Sequence, residues 1–409
     1  MENRGIEYLR NKLRSKEPRV NLRYKYYEMK NSIKDFGIST PPELRAIYSA
    51  LGWCAKSVDT LADRIVFREF DDEEDLFDMN GIYNMNNPDI IFDSAILSAL
   101  ISSCSFIYIS PDNEGFPRLQ VIDGSNATGI IEPITNMLVE GYAVLERDQM
   151  GNATLEAYFT TGRTEYYRGK KLIRTVPNIA PYPLLVPIIN RPDAKRPFGH
   201  SRISRSSMDV VQSAMRTVKR SEISAEFFSF PQKYVVGTSQ DREPMDSWRA
   251  AMSAMMEFTK DDEGDKPLLG QFAQQSMEPH LSQLRMFAGI FAGENDLTLD
   301  DLGFPSDNPS SQEAIKASHE NLRLKARKAQ RCFGTGFLNA GFLAACIRDG
   351  VRYERSQIYN AKALWEPIFE PDASMLSSIG DGVIKINQAV PGYADEKVLR
   401  ELTGIRKGV

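Results

Sequence analysis

The apolar positions of this chain change rhythm twice, and each change marks a change of structure. Residues 6–36 read as helical, strongly charged and rich in tyrosine. The stretch ISTPPELRAIYSALGWCAKSVDTLADRIVF then predicts a helix over 41–64. Thr40 is placed to cap it, Pro41 takes its first position and Glu43 completes a capping box. The acidic run DDEEDLFD, residues 71–78, breaks the pattern and reads as a solvated loop, its carboxylates lacking calcium-loop spacing. Residues 94–110 (SAILSALISSCSFIYIS) are uncharged, but they fall short of the ~20 residues a bilayer span requires and end in a strand-like run. They predict a buried helix feeding a buried strand.

From Cys104 to about Asn190 the period becomes two. SFIYIS, RLQVI, MLVEGYAVLE, TLEAYFTT, TEYYRG and KLIRTV read as short strands punctuated by Gly, Asn, Asp and Pro, with a hairpin turn at Arg168–Lys171. The first half is therefore α+β. Six prolines in residues 177–199 remove backbone donors and predict an extended connector.

Beyond the connector the pattern turns helical. Met208, Val211, Met215 and Val218 recur at spacings of three and four. Val210, Ala214 and Ala225 lie on a flanking face, and Arg205, Arg216, Lys219 and Arg220 are spread over the rest. A helix from about Ser204 to Phe228 would be roughly 36 Å long, ended by Pro231. A strand, a helix over 247–258, an acidic turn and a strand-like PLLGQF follow. A second long helix starts near Glu278 and carries Leu281, Leu284, Ala288 and Phe291. Residues 294–310 form an acidic loop long enough to suggest a function. Ser310 and Glu313 make a capping box for a further helix reaching Asp349, with a bend at Gly334 and Gly336. Short helices close the chain at about 372–389 and 394–403.

Composition narrows the reading. The formal net charge of −5 argues against a simple basic DNA-binding protein. Cys54, Cys104, Cys332 and Cys346 form no CxxC pair and are expected as free thiols in a reducing compartment. His200, His280 and His319 are too dispersed for a zinc site. No P-loop, GxSxG elbow or HExxH occurs. GTGFLNAG, residues 334–341, follows a helix rather than a strand and reads as close helix packing. No cofactor or metal is expected. The N-terminus lacks the apolar core of a signal peptide.

The ordered set of segments resembles the portal proteins of tailed bacteriophages, of the siphovirus type. YYEMKNSIKDFGISTPPELR with SVDTLADRI is similar to the family's N-terminal region. GHSRISRSSMDVVQSAMRTVKRSEISAEFFSFPQKYVVG resembles its first stem helix entering the clip. DNPSSQEAIKASHENLRLKARKAQRCFG resembles the start of its long helix. The resemblance implies a non-enzymatic ring, usually of about twelve copies. Its parts would be an α/β wing over 1–203 and 311–371, a two-helix stem over 204–229 and 278–293, a small α/β clip over 230–277, a tunnel loop over 294–310 and a short helical crown over 372–409.

The same resemblance assigns roles. Met208, Val211, Met215, Val218, Leu281, Leu284 and Phe291 would pack the stem. Leu297, Thr298, Leu299, Asp300, Asp301 and Phe304 would line the DNA channel. Arg216, Lys219, Arg220, Lys316 and Arg323 would contact either DNA or a neighbouring subunit. Implied partners are further copies of the chain, double-stranded DNA held without sequence preference, the terminase large subunit, a head–tail connector or adaptor, and the major capsid and scaffolding proteins, with no membrane. The location implied is the capsid portal vertex of the virion, after synthesis in the host cytoplasm. A hydrolase or nuclease with a dispersed site, and another head–tail adaptor, are the alternatives. Adaptors are usually much shorter than 409 residues.

Overall fold

The computed structural model describes residues 3–34, 48–72, 77–229, 233–236, 268–271, 276–305, 312–369, 371 and 373–405. The helix expected over 247–258, the acidic turn after it, and the caps expected at Thr40 and Ser310 lie outside the described residues.

The fold is α+β. Helix α1 (Ile6–Tyr27) leads to α2 (Trp53–Ala62), β1 (Phe67–Asp71), α3 (Met79–Asn84) and α4 (Pro88–Ser102). The helix expected over 41–64 is corrected, because residues 48–52 are not helical and Gly52 stands at the N-cap of α2. The expected first helix likewise stops at Tyr27. Helix α4 is exposed at Asp89, Ile90 and Asp93 in its first turns and buried over most of the rest. Ser103, at φ 89°, turns the chain directly into β2 (Cys104–Pro111), as the run 94–110 suggested.

Strand β2 is the centre of a three-stranded antiparallel sheet. It pairs with β3 (Pro117–Ile122) on one side and, on the other, with β9 (Leu185–Ile189), which lies within the proline-rich stretch expected as a connector. The strands between form a five-stranded antiparallel meander: β4 (Ala127–Ile131), β5 (Leu138–Arg147), β6 (Ala153–Thr160), β7 (Arg163–Arg168) and β8 (Lys171–Pro177). Gly169, at φ 61°, supplies the left-handed turn expected between β7 and β8.

Two buried carboxylates pin α1 to this meander. Glu140 of β5 accepts from the Arg4 and Gly5 N–H groups at 2.9 and 3.1 Å and from the Tyr158 hydroxyl at 2.7 Å. Glu156 of β6 pairs with Arg10 and accepts from the Tyr142 hydroxyl. Buried charges are tolerated when paired and hydrogen-bonded in this way.

Helix α5 (Arg205–Ser229) is followed by β10 (Lys233–Val236) and β11 (Leu268–Gln271), which pair antiparallel, and by α6 (Glu278–Asn295). After α7 (Gln312–Ser318), the 30-residue α8 (Glu320–Asp349) crosses the core. The single helix expected from Ser310 is thus interrupted at His319, which takes the N-cap position of α8. Helix α8 runs unbroken through Gly334 and Gly336, where a bend is expected. Both glycines serve close approach. A Cβ at Gly336 would lie 2.7 Å from Ile188 Cδ1, and one at Gly334 would lie 3.0 Å from Ala363 Cβ. Strand β12 (Lys362–Trp365) pairs with β1, and α9 (Ala373–Ala389) and α10 (Glu396–Thr403) close the chain.

The main core joins α2, α4, the three-stranded sheet, the start of α5, the end of α6 and α8. All four cysteines are free, and burial pushes the Cys54 thiol up to about 12. No helix among the described residues is long and apolar enough to cross a membrane.

Candidate functional site

Helices α5 and α6 pack side by side as a hairpin. Their seam holds Val211, Ala214, Met215, Ala288, Phe291 and Ala292, all buried. Hydrogen bonds run along it: Thr217 Oγ1 donates to Gln283 Oε1 at 2.9 Å, and Ser207 Oγ donates to Asn295 Oδ1 at 3.2 Å. Ser224 Oγ and the His280 ring lie 3.3 Å apart. At its base, Phe291 meets Trp53 of α2 with ring centroids 5.6 Å apart.

The several buried faces of α5 are therefore largely covered by the chain itself. The segment after α1 wraps a second side. Gln212 Nε2 donates to Tyr26 Oη and Ser32 O, each at 2.9 Å, while its Oε1 accepts from the Lys34 N–H at 2.9 Å. Arg216 donates to Lys34 O at 3.3 Å and to Ser213 Oγ at 2.9 Å. Lys219 is buried, and Arg220 is half-buried.

Of the residues expected to pack the stem, Val211, Met215 and Phe291 are core residues, and Met208 and Leu284 pack on their edge. Val218 is half-buried. Leu281 is different: it stands 53% exposed, as do Met286 at 52% and Ile290 at 46% on the same helix. Met286 and Ile290 share the side of α6 away from α5 and have no cover among the described residues, whereas Leu281 flanks the seam side.

The segment after α6 is bound down at both ends. Asp296, at φ 53°, ends the helix in the left-handed region. Its carboxylate takes Arg202 at 3.2 Å and also Lys325 of α8. Arg202 is buried, donates to Ser57 O at 3.3 Å and binds the Asn295 carbonyl at the end of α6. Burial lowers the Arg202 pKa, and Asp296 offsets part of that shift. One guanidinium thus joins α2, the proline-rich connector and the C-terminus of α6.

Five residues on, Asp301 Oδ2 accepts from both the N–H and the hydroxyl of Thr298, each at 2.9 Å, and meets His319 Nε2 at 3.2 Å. Burial pushes the Asp301 carboxyl up, but the Thr298 donors and His319 outweigh it and hold the group below its usual range. Leu297 and Leu302 are buried, Leu299 and Phe304 pack against the core, and Asp300 is exposed. Of the expected channel residues, Leu297 points into its own core.

The two basic candidates nearby are also engaged. Arg323 chelates Glu320 one turn back at 2.7 and 2.6 Å, and Lys316 is half-buried on α7. No local pattern marks Arg202, Asp296 or Lys325, because their partners lie 29–145 residues away.

Residues 6–351, from α1 to just past α8, match the family model described as "Phage portal protein, SPP1 Gp6-like". The chain belongs to this family of phage portal proteins. It is 24% identical to the portal protein of Mycobacterium phage L5 over 353 residues, and 24% identical to that of Mycobacterium phage D29 over 357 residues. Each alignment spans 80% of this chain and 70% of the relative. Among solved structures, it is similar to a chain in the virion of a native gene transfer agent particle (TM-score 0.48, 13% identity, 87% of this chain and 90% of that one). A chain in the neck of an empty particle of the same kind scores 0.48 at 13% identity, covering 95% of this chain and all of the other.

Proposed function

We propose that copies of this chain assemble into the portal ring of a phage capsid, a channel through which a terminase packages double-stranded DNA and through which the DNA later leaves. In this reading α5 and α6 form the stem, residues 230–277 the clip, the segment after α6 the tunnel loop, and α9 and α10 a short crown. The rest forms the wing. The clip docks the terminase large subunit and afterwards a head–tail connector, and the ring nucleates capsid assembly with the major capsid and scaffolding proteins.

The observation that carries the reading is the family match across 6–351. The side of α6 away from α5 supports it, because half-exposed Met286 and Ile290 on a long helix call for a cover that a neighbouring copy would supply. The acidic balance suits a channel in which DNA slides. Each neutralised phosphate adds affinity, so a uniformly basic lining would hold the duplex fast.

The test is the mass and symmetry of the purified protein, by native mass spectrometry with negative-stain class averages. A ring of about a dozen copies with a central hole supports the reading. A closed two-fold dimer, or metal-dependent cleavage of DNA by the pure protein, would overturn it.

A further inference from the structure

A groove of about 700 Å³ runs between α8 and β12 on a different part of the chain from the hairpin. Its helix wall is one face of α8: Leu324, Arg327, Lys328, Arg331, Thr335 and Leu338 recur at spacings of three and four. Its other wall is the strand itself, with Lys362 and Trp365. Arg327, Lys328, Arg331 and Lys362 are exposed and form no ion pair among the described residues. Glu320, the first acid on α8, is already chelated by Arg323.

Two further observations say what this groove lacks. Gln330 is only 9% exposed and lines the groove, yet its amide Nε2 has no hydrogen-bond acceptor. An unsatisfied buried donor costs about 1–3 kcal/mol, so an acceptor arriving from outside would be rewarded. The second is the strand edge. The β1–β12 ribbon has only two strands. On the β1 side, the Phe70 N–H and C=O are both satisfied by the Asn80 amide at 2.9 Å, which closes that edge. On the β12 side, the Glu366 N–H reaches inward to Val66 O at 3.0 Å. Antiparallel alternation then turns the backbone groups of Ala363 and Trp365 outward, into the groove. Nothing among the described residues pairs with them.

We propose that this groove binds an extended acidic peptide segment of a partner protein, which adds to the open edge of β12 while its carboxylates meet Arg327, Lys328, Arg331 and Lys362. The backbone edge gives pairing, the four cations give sign selectivity, and Leu324, Leu338 and Trp365 accept apolar side chains between the acids. Four residues of β12 offer a pairing length of ~13 Å, enough for a short strand. A duplex fits the charge but cannot use the edge, which is why the peptide is favoured. The proposal does not depend on ring formation.

The experiment titrates the full chain with a fluorescent eight-residue peptide of alternating Glu and Val, followed by anisotropy. Controls are the Lys–Val peptide, the Glu–Val peptide N-methylated at alternate residues, and a short DNA duplex as competitor. The acidic peptide should bind, the basic one should not, and N-methylation should weaken binding at least about tenfold by blocking strand pairing. Arg327→Glu with Arg331→Glu should weaken it by a similar factor or more. These side chains are exposed, so the variant should keep its circular dichroism spectrum. Lys362→Glu, on the other wall, gives an independent check. Binding that tolerates N-methylation and is displaced by duplex DNA would mark a phosphate site and overturn the proposal. So would absent peptide binding with loss of assembly in the double variant, which would make the groove a contact between copies.

Discussion

Replacing Arg202 by Met tests the idea that one guanidinium holds the segment after α6 in place. The substitution keeps the apolar stem of the side chain but removes donors to Ser57 O, Asn295 O and Asp296. Ser57 lies inside α2, so its carbonyl retains a helical partner. Asn295 ends α6, so its carbonyl is one of those a helix terminus leaves open. Asp296 keeps Lys325. The loss therefore centres on one buried carbonyl, worth about 1–3 kcal/mol, and on half of a shared charge cluster. Breaking a buried pair costs about 3–5 kcal/mol. The lower end applies, because Lys325 remains and the desolvation that depresses the Arg202 pKa is relieved. The expectation is about 3 kcal/mol, measured by urea unfolding. Amide exchange should quicken at Asp296 and Leu297, whose N–H groups both bond to Ala292 O. Arg202→Lys should recover part of the loss, retaining charge without the fork. A destabilisation under about 1 kcal/mol with unchanged exchange there would refute the reasoning.

Three other outcomes follow from the same structure. Met286→Asp with Ile290→Asp, on the exposed side of α6, should leave unfolding within about 0.5 kcal/mol of the parent yet abolish rings by negative stain; Val211→Asp, by contrast, buries a charge inside the chain's own core and should cost several kcal/mol before assembly is reached. Asp301, whose carboxyl sits below its ordinary 3.8, contributes stability that is present above that value and is lost as pH falls through the lower folded value; the urea midpoint of Asp301→Asn should therefore fall less steeply below pH 4 than the parent's. Gly336→Ala forces a Cβ to within 2.7 Å of Ile188 Cδ1 and 3.2 Å of Pro187 O, and should cost about 1–3 kcal/mol of overpacking by thermal melt and urea titration, whereas Gly380→Ala, facing open space, should not.

Periodicity made much of the fold legible. The stripe Met208–Val211–Met215 and the alternation of β2, β3 and β5 to β8 are local patterns, and the helix and strands they predict are present, whereas β4 and β9 went unread. What covers a stripe is not local. Val211 and Met286 are both apolar residues on long helices, yet one is core and the other half-exposed, because residues 26–34 and α2 fold back over α5 and leave the far side of α6 bare. The break at His319 was missed for a related reason. Its helical neighbours are good helix formers, and the bond to Asp301 that fixes it comes from a segment 18 residues earlier. Arg202 has no motif at all; proximity to Asn295 exists only after the connector has turned the chain.

The continuity of α8 has a mechanical meaning. Lys325 grips Asp296 near one end, Gly336 rests on β9 in the middle, and Arg348 reaches Asp78 at the far end at 3.7 Å. A straight helix places Lys325 about 16 Å and Arg348 about 18 Å from that resting point. Between those anchors Phe333, Phe337 and Phe342 are fully buried, so the helix is clamped along its length rather than at one point. The end of the hairpin and the N-terminal half of the chain are thereby tied to one piece of secondary structure, a strut across the core.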